Sequence, residues 1–245
     1  MQGFFVCGSE VLRVVLSGVN LQRQTLQLYG ELIARRESWA GQLVFLYGAG
    51  ASATGLPAAV SIAGGTSLVL DADSAAVRSV FRQGGVDFVV NTLDEALRVV
   101  KNEIRKHRPL SVALEGEVHA TIAEMRERGV LPDVQVSVGD TAEPKAQLGA
   151  ENLQLTWEGG ALVPSELLEA WLMERGWYEM VLERATTREL RELDAQLLSI
   201  LPEEDAQRRT WIQRIGHYQR VVAGGARVVW LTKLERAATE SSGAV

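Results

Sequence analysis

The sequence predicts an α/β fold: a doubly wound, mostly parallel sheet with a helical extension built from the N- and C-terminal segments. Three observations carry this. Short apolar runs recur at 43–46, 67–71, 88–91, 110–114 and 134–138; amphipathic stretches of helical spacing lie between them; and a glycine-rich turn, YGAGASATGLP at 47–57, directly follows the first run. Strand–helix alternation of this kind marks parallel strands whose crossover helices cover both faces.

Taken in order, 20–36 reads as a leading helix with Leu21, Leu28, Leu32 and Ile33 on one face. The crossover helices are expected at 56–63, 75–83, 93–105 and 117–128; the third shows Leu93, Ala96, Leu97, Val100 and Ile104 at helical spacing. A polar loop, 139–151, leads to a sixth strand at 153–157. The pattern then turns helical at 164–174, 187–200 and, after Pro202, 203–222, before a last apolar strand at 227–231. The small, polar tail 239–245 reads as frayed. The expected organisation is a dinucleotide-binding domain over 37–163 and a mainly helical companion region from 1–36 and 164–245.

Composition narrows the partners. With 25 Lys+Arg against 31 Asp+Glu the net charge is -6, and no basic stripe interleaves with aromatics, which argues against nucleic acid. Cys7 is the single cysteine, so no internal disulfide or thiolate cluster can form, which suits a reducing cytoplasm. His107, His119 and His217 lie too far apart in sequence for a local metal motif. The apolar N-terminus lacks a basic leader region and is interrupted by Glu10 and Arg13, so neither a signal peptide nor a membrane span is expected. The long amphipathic helices at both ends fit a homodimer.

In an open parallel sheet the ligand crevice is lined by loops that follow the carboxyl ends of the strands. Gly48-Ala49-Gly50-Ala51-Ser52-Ala53 fits G-x-G-x-x-A between a strand and a helix, the Rossmann-like dinucleotide fingerprint. The first glycine permits the tight turn, the second lets backbone N–H groups approach a pyrophosphate, and a small third residue lets helix and strand pack closely. Ser52 and Thr54 supply hydroxyl donors for phosphate oxygens. Asp71, 23 residues after Gly48 at the end of the second strand, suits a ribose 2′-hydroxyl and favours NAD over NADP. Thr92 and Gly139, just past the third and fifth strands, join the candidate cofactor set. A packing turn is the competing reading of the glycines.

Other residues have bland readings beside functional ones. His119 is either an acid–base group in the crevice or a surface histidine, and Glu115 and Glu117 either bind a ligand or complement a helix N-terminus. Asp140 and Glu143 read as loop carboxylates, Trp211, Tyr218 and Trp230 as core or interface aromatics, and Cys7 as a structural thiol.

The run GQLVFLYGAGASATGLPAAVSIAGG, 41–65, resembles the start of the NAD-binding domain of the urocanase (urocanate hydratase) family, with Gly48, Gly50, Pro57, Ala63, Gly64 and Gly65 on matching letters. LDEALRVV at 93–100, PLSVALEG at 109–116, ERGVLPD at 127–133, ILPEEDAQRRTWIQRIGHYQ at 200–219 and ARVVWL at 226–231 continue the resemblance collinearly. It implies tightly bound NAD acting as an electrophile toward an imidazole substrate, and it adds Gly116 as a point of close backbone approach to the cofactor.

The departures bear on catalysis. The family's QTSAHDP falls on 138–144, where Val138 and Ala142 replace its glutamine and histidine; its GNAAE appears as Gly116-Glu117-Val118-His119-Ala120; and its GGAQ appears as Ala53-Thr54-Gly55-Leu56. The family's FDYGN segment and glycine-rich C-terminal region have no counterpart, and the chain is about half the family's length. The expectation is a urocanase-like NAD-binding protein without a complete urocanate hydratase site, its catalytic residues unassigned. The alternatives are a non-catalytic binding module and a half-enzyme completed by a separate chain.

Overall fold

The computed structural model describes residues 7–48, 55–138, 151–158, 161–218 and 225–241. In chain order, α1 (Cys7–Arg35) leads into β1 (Leu43–Tyr47), α2 (Leu56–Ile62), β2 (Thr66–Asp71), α3 (Ser74–Arg82), β3 (Phe88–Val90), α4 (Leu93–Arg105), β4 (Leu110–Glu115), α5 (Val118–Glu127) and β5 (Val134–Val138). Then follow β6 (Glu151–Glu158), β7 (Ala161–Val163), α6 (Glu166–Arg175), β8 (Tyr178–Glu183), α7 (Thr187–Ile200), α8 (Ala206–Tyr218), β9 (Ala226–Leu231) and α9 (Lys233–Ser241).

Seven strands form one sheet in the order β3-β4-β2-β1-β5-β6-β7, parallel except for β7. The chain steps outward from β1 to β2 and on to β3, then turns back through β4 and crosses to β5. Right-handed crossovers must therefore place α2 and α3 on one face and α4 and α5 on the other. The core confirms this. Val44 and Leu46 of β1 pack with Ala58, Ala59, Val77 and Val80, whereas Leu43 and Phe45 pack with Leu93, Leu97, Ile122 and Met125. Alternation along the strand sends its side chains to opposite faces, and both are apolar because both are covered.

The α2 face carries a second layer. Helix α1 crosses α2 at Gly55, where a Cβ would lie 2.6 Å from Thr25 Oγ1 and 3.2 Å from Thr25 Cα, so only glycine admits the approach. The α1 helix is also tied to the far end of the chain. The buried Gln22 amide donates to the Ala226 carbonyl at 3.0 Å and accepts the Val228 N–H at 2.5 Å, completing the ladder of β9 as a neighbouring strand would. Trp211, buried beneath, donates to the Val228 carbonyl at 2.9 Å.

The C-terminal extension is not purely helical. The predicted last strand, β9, pairs antiparallel with β8 in a separate two-stranded sheet. β8, β7 and α9 have no counterpart in the sequence reading: β7 is only three residues long, and β8 is half-buried along its length and carries Glu179 among its apolar residues. The tail from Thr239 was expected to fray, but α9 continues to Ser241, and Thr239 is buried with its carbonyl accepting from Gln196 Nε2 at 3.3 Å.

Candidate functional site

The strand order reverses between β1 and β5, which makes this pair the topological switch point, where an open α/β sheet leaves a crevice beyond its carboxyl ends. Gly48 opens that edge. Its φ of +87° lies in the left-handed region, its N–H donates to the Leu70 carbonyl at 2.8 Å, and a Cβ there would meet nothing within 4 Å. Glycine is therefore required at this position by the backbone and not by crowding.

The next strands bring two more candidates beside it. Asp71 ends β2, and Gly116, just past β4, donates its N–H to the Asp71 carbonyl at 3.0 Å. A Cβ on Gly116 would sit 3.2 Å from Thr121 Oγ1 and 3.4 Å from Leu70 Cδ1, so a larger residue would need those side chains to give by a few tenths of an ångström. Asp71 Oδ1 accepts the Asp73 N–H at 2.8 Å, which fixes the carboxylate at the strand end. Glu115 is the register partner of Asp71 and is exposed, so two carboxylates stand side by side at the lip of the crevice.

Thr92 lies further away. It follows β3, the edge strand, with β4 and β2 between it and β1, and its hydroxyl accepts the Glu95 N–H at 3.2 Å as the N-cap of α4. Ala49, Gly50, Ala51, Ser52, Ala53, Thr54 and Gly139 lie outside the described residues, as do Asp140, Ala142 and Glu143.

The helices around this edge differ in how their N-termini are satisfied. Asp73 caps α3, Thr92 caps α4, and Glu117 caps α5 by accepting the N–H groups of His119 at 3.0 Å and Ala120 at 2.6 Å. Those two bonds, Ala120's the larger, hold the Glu117 carboxyl below the usual carboxylate range. Helix α2, at the glycine turn, starts at Gly55 with no side-chain cap. His119 is exposed beside Glu117, in keeping with a surface role. Trp211, Trp230 and Tyr218 are buried, as their core reading requires.

Tyr47 and Gln135, on the two strands of the switch point, are not among the residues that the sequence marks as site candidates. Gln135 is buried in β5, and its side chain hydrogen-bonds Tyr47; burial pushes the Tyr47 phenol up while this bond draws it down. The available signal was a glutamine inside the apolar strand VQVSV. Among the described residues no group of three His, Cys, Asp or Glu side chains is placed to hold a metal ion, and no helix is long and apolar enough to cross a membrane.

Residues 22–143 match the family model described as the urocanase Rossmann-like domain. This part of the chain is a urocanase-family Rossmann-like domain. The matched stretch begins within α1, at the Gln22 that pairs with β9, and takes in β1 to β5. The urocanase-family domain thus contains the switch point, Gly48, Asp71 and Gly116.

Proposed function

We propose that the urocanase-family domain binds NAD across the carboxyl ends of β1, β2 and β4, with Gly48 at the pyrophosphate turn and Asp71 on a ribose. The observation that carries this is the junction of a positive-φ glycine with a topological switch point in a domain of this family. The paired carboxylates Asp71 and Glu115 would repel a 2′-phosphate, which supports NAD over NADP. When bound, NAD supplies an electrophilic ring; the chain's own residues bind and orient it. Isothermal titration with NAD, together with native mass spectrometry of the purified protein, tests the reading. An absence of both heat at millimolar NAD and carried-over cofactor mass would overturn it.

A second reading, a family member that binds without catalysing, draws on Glu117. This residue stands where the family motif has asparagine, and both its oxygens are engaged by α5. Val138, the last residue of β5, replaces the motif's glutamine. On this reading the chain lacks a complete urocanate hydratase site and Asp71→Ala leaves its cellular role intact; a deletion-like phenotype for that variant would refute it. A cytoplasmic homodimer completes the proposal, supported by the single cysteine and by the exposed Leu167, Met173 and Leu234 on α6 and α9. A monomer mass in sedimentation equilibrium would remove the dimer.

A further inference from the structure

On the opposite edge of the sheet, at the amino ends of β3 and β4, a cavity of about 300 Å³ is lined by Phe81, Arg82, Val86, Asp87, His217 and Tyr218. Its polar wall is fixed from behind. Asp87 Oδ2 accepts the Ser111 N–H at 2.8 Å while the Asp87 N–H donates to the Ser111 carbonyl at 3.0 Å, so the carboxylate is held in one orientation. Its other oxygen, Oδ1, stands 3.7 Å from His217 Nε2, beyond hydrogen-bond reach, and the side chain keeps 18% exposure.

Tyr218 presents its ring and not its hydroxyl. Ser111 Oγ donates to the Pro57 carbonyl at 3.0 Å, Ser61 Oγ lies 2.5 Å from Ser111 Oγ, and the Tyr218 hydroxyl is hydrogen-bonded to Ser61. This buried relay locks the ring perpendicular to that of His217, with centroids 5.0 Å apart. Burial, with the Asp87 charge second, pushes the phenol up to about 12, which keeps it neutral. Phe81 is 48% exposed, so its ring is open at the mouth of the cavity. Arg82 is exposed, and beyond a 3.3 Å bond from its Nε to the Arg78 carbonyl it makes no ion pair among the described residues.

An oriented carboxylate, two aromatic walls and a cation at the rim describe a zwitterion with an apolar body. The volume is at the small end for ligand sites, suited to a metabolite smaller than a nucleotide. We infer that this cavity binds a free apolar or aromatic amino acid, its ammonium on Asp87, its side chain against Phe81, Val86 and Tyr218, and its carboxylate toward Arg82. The site shares no residue with the crevice beyond β1 and does not depend on NAD binding there.

The test is calorimetry of the full chain with phenylalanine and leucine, beside phenethylamine, which lacks the carboxylate, and N-acetylphenylalanine, which lacks the ammonium. Phenylalanine binds, N-acetylation weakens it about tenfold or more, and phenethylamine binds less tightly. Asp87→Asn, which keeps an oxygen for the Ser111 N–H, lowers affinity for every ammonium ligand. Arg82→Gln lowers it for phenylalanine but not for phenethylamine, and this exposed variant, with Phe81→Ala, keeps the test open if Asp87→Asn fails to fold. Equal affinity for the N-acetyl compound, affinity unchanged in all the variants, or no binding by either amino acid would overturn the inference.

Discussion

Glu31 and Ser165, 134 residues apart, are joined by two hydrogen bonds: the Ser165 N–H reaches Glu31 Oε1 at 2.7 Å and the Ser165 hydroxyl reaches Oε2 at 2.8 Å. Ser165 is the N-cap of α6, so a buried carboxylate on α1 fixes where α6 begins, with Arg35 balancing its charge. Glu31→Ala leaves that cap and Arg35 without their partner and is expected to cost about 3 kcal/mol. Glu31→Gln, which still offers an acceptor, costs less. Urea midpoints of the two variants against the parent measure both.

Gly48→Ala isolates a backbone effect, because its methyl group would touch nothing within 4 Å. The positive φ alone should cost about 1–2 kcal/mol. NAD affinity should fall as the turn relaxes, an outcome read by thermal melts and calorimetry on the same sample.

Asp71 and Glu115, register partners, set the expected cofactor preference. Asp71→Asn combined with Glu115→Gln removes two negative charges while an oxygen at position 71 can still accept the Asp73 N–H. The ratio of NADP to NAD affinity should rise about tenfold in the double variant. An unchanged ratio in competition titrations would place the ribose elsewhere.

Glu117 carries a pH signature. Its carboxyl titrates below its ordinary value of 4.5 because the folded state supplies the Ala120 and His119 N–H groups to the ionised form. Its contribution is present in full above that value and is lost as the pH falls through the lower folded one. Glu117→Gln should therefore flatten the acid limb of the stability curve below about pH 4.5 and leave its slope near neutrality unchanged. Denaturation midpoints across that range provide the measurement.

The parallel sheet was legible because each of its first five strands is a local signal bounded by turn residues, and α4 runs from Leu93 to Arg105 as its apolar spacing predicts. The insertion of β4 between β2 and β3 was not, since neither strand's sequence encodes which neighbour it meets. β8 escaped because a half-exposed antiparallel strand carrying Glu179 looks like loop. At the site, Gly48 and Asp71 are cofactor candidates by their spacing, and the fold puts Gly48 just past β1 and Asp71 at the end of β2. Thr92 is a cofactor candidate by its place after a strand, and its hydroxyl also caps α4, for which a threonine three residues before Glu95 is the sequence cue. The pair of Tyr47 and Gln135 stayed hidden because strand pairing alone brings them together.

The Gln22 amide that substitutes for a strand beside β9 also sets an order of events during synthesis. Helix α1 is synthesised before β9, yet its buried amide acquires partners only when Ala226 and Val228 have been made, some 200 residues later. Until then a nascent chain exposes the polar group and the apolar face that α1 will bury, the long-range closure that slows folding and invites chaperone capture. A chain stalled before β9 should therefore be far more sensitive to protease at α1 than the finished protein.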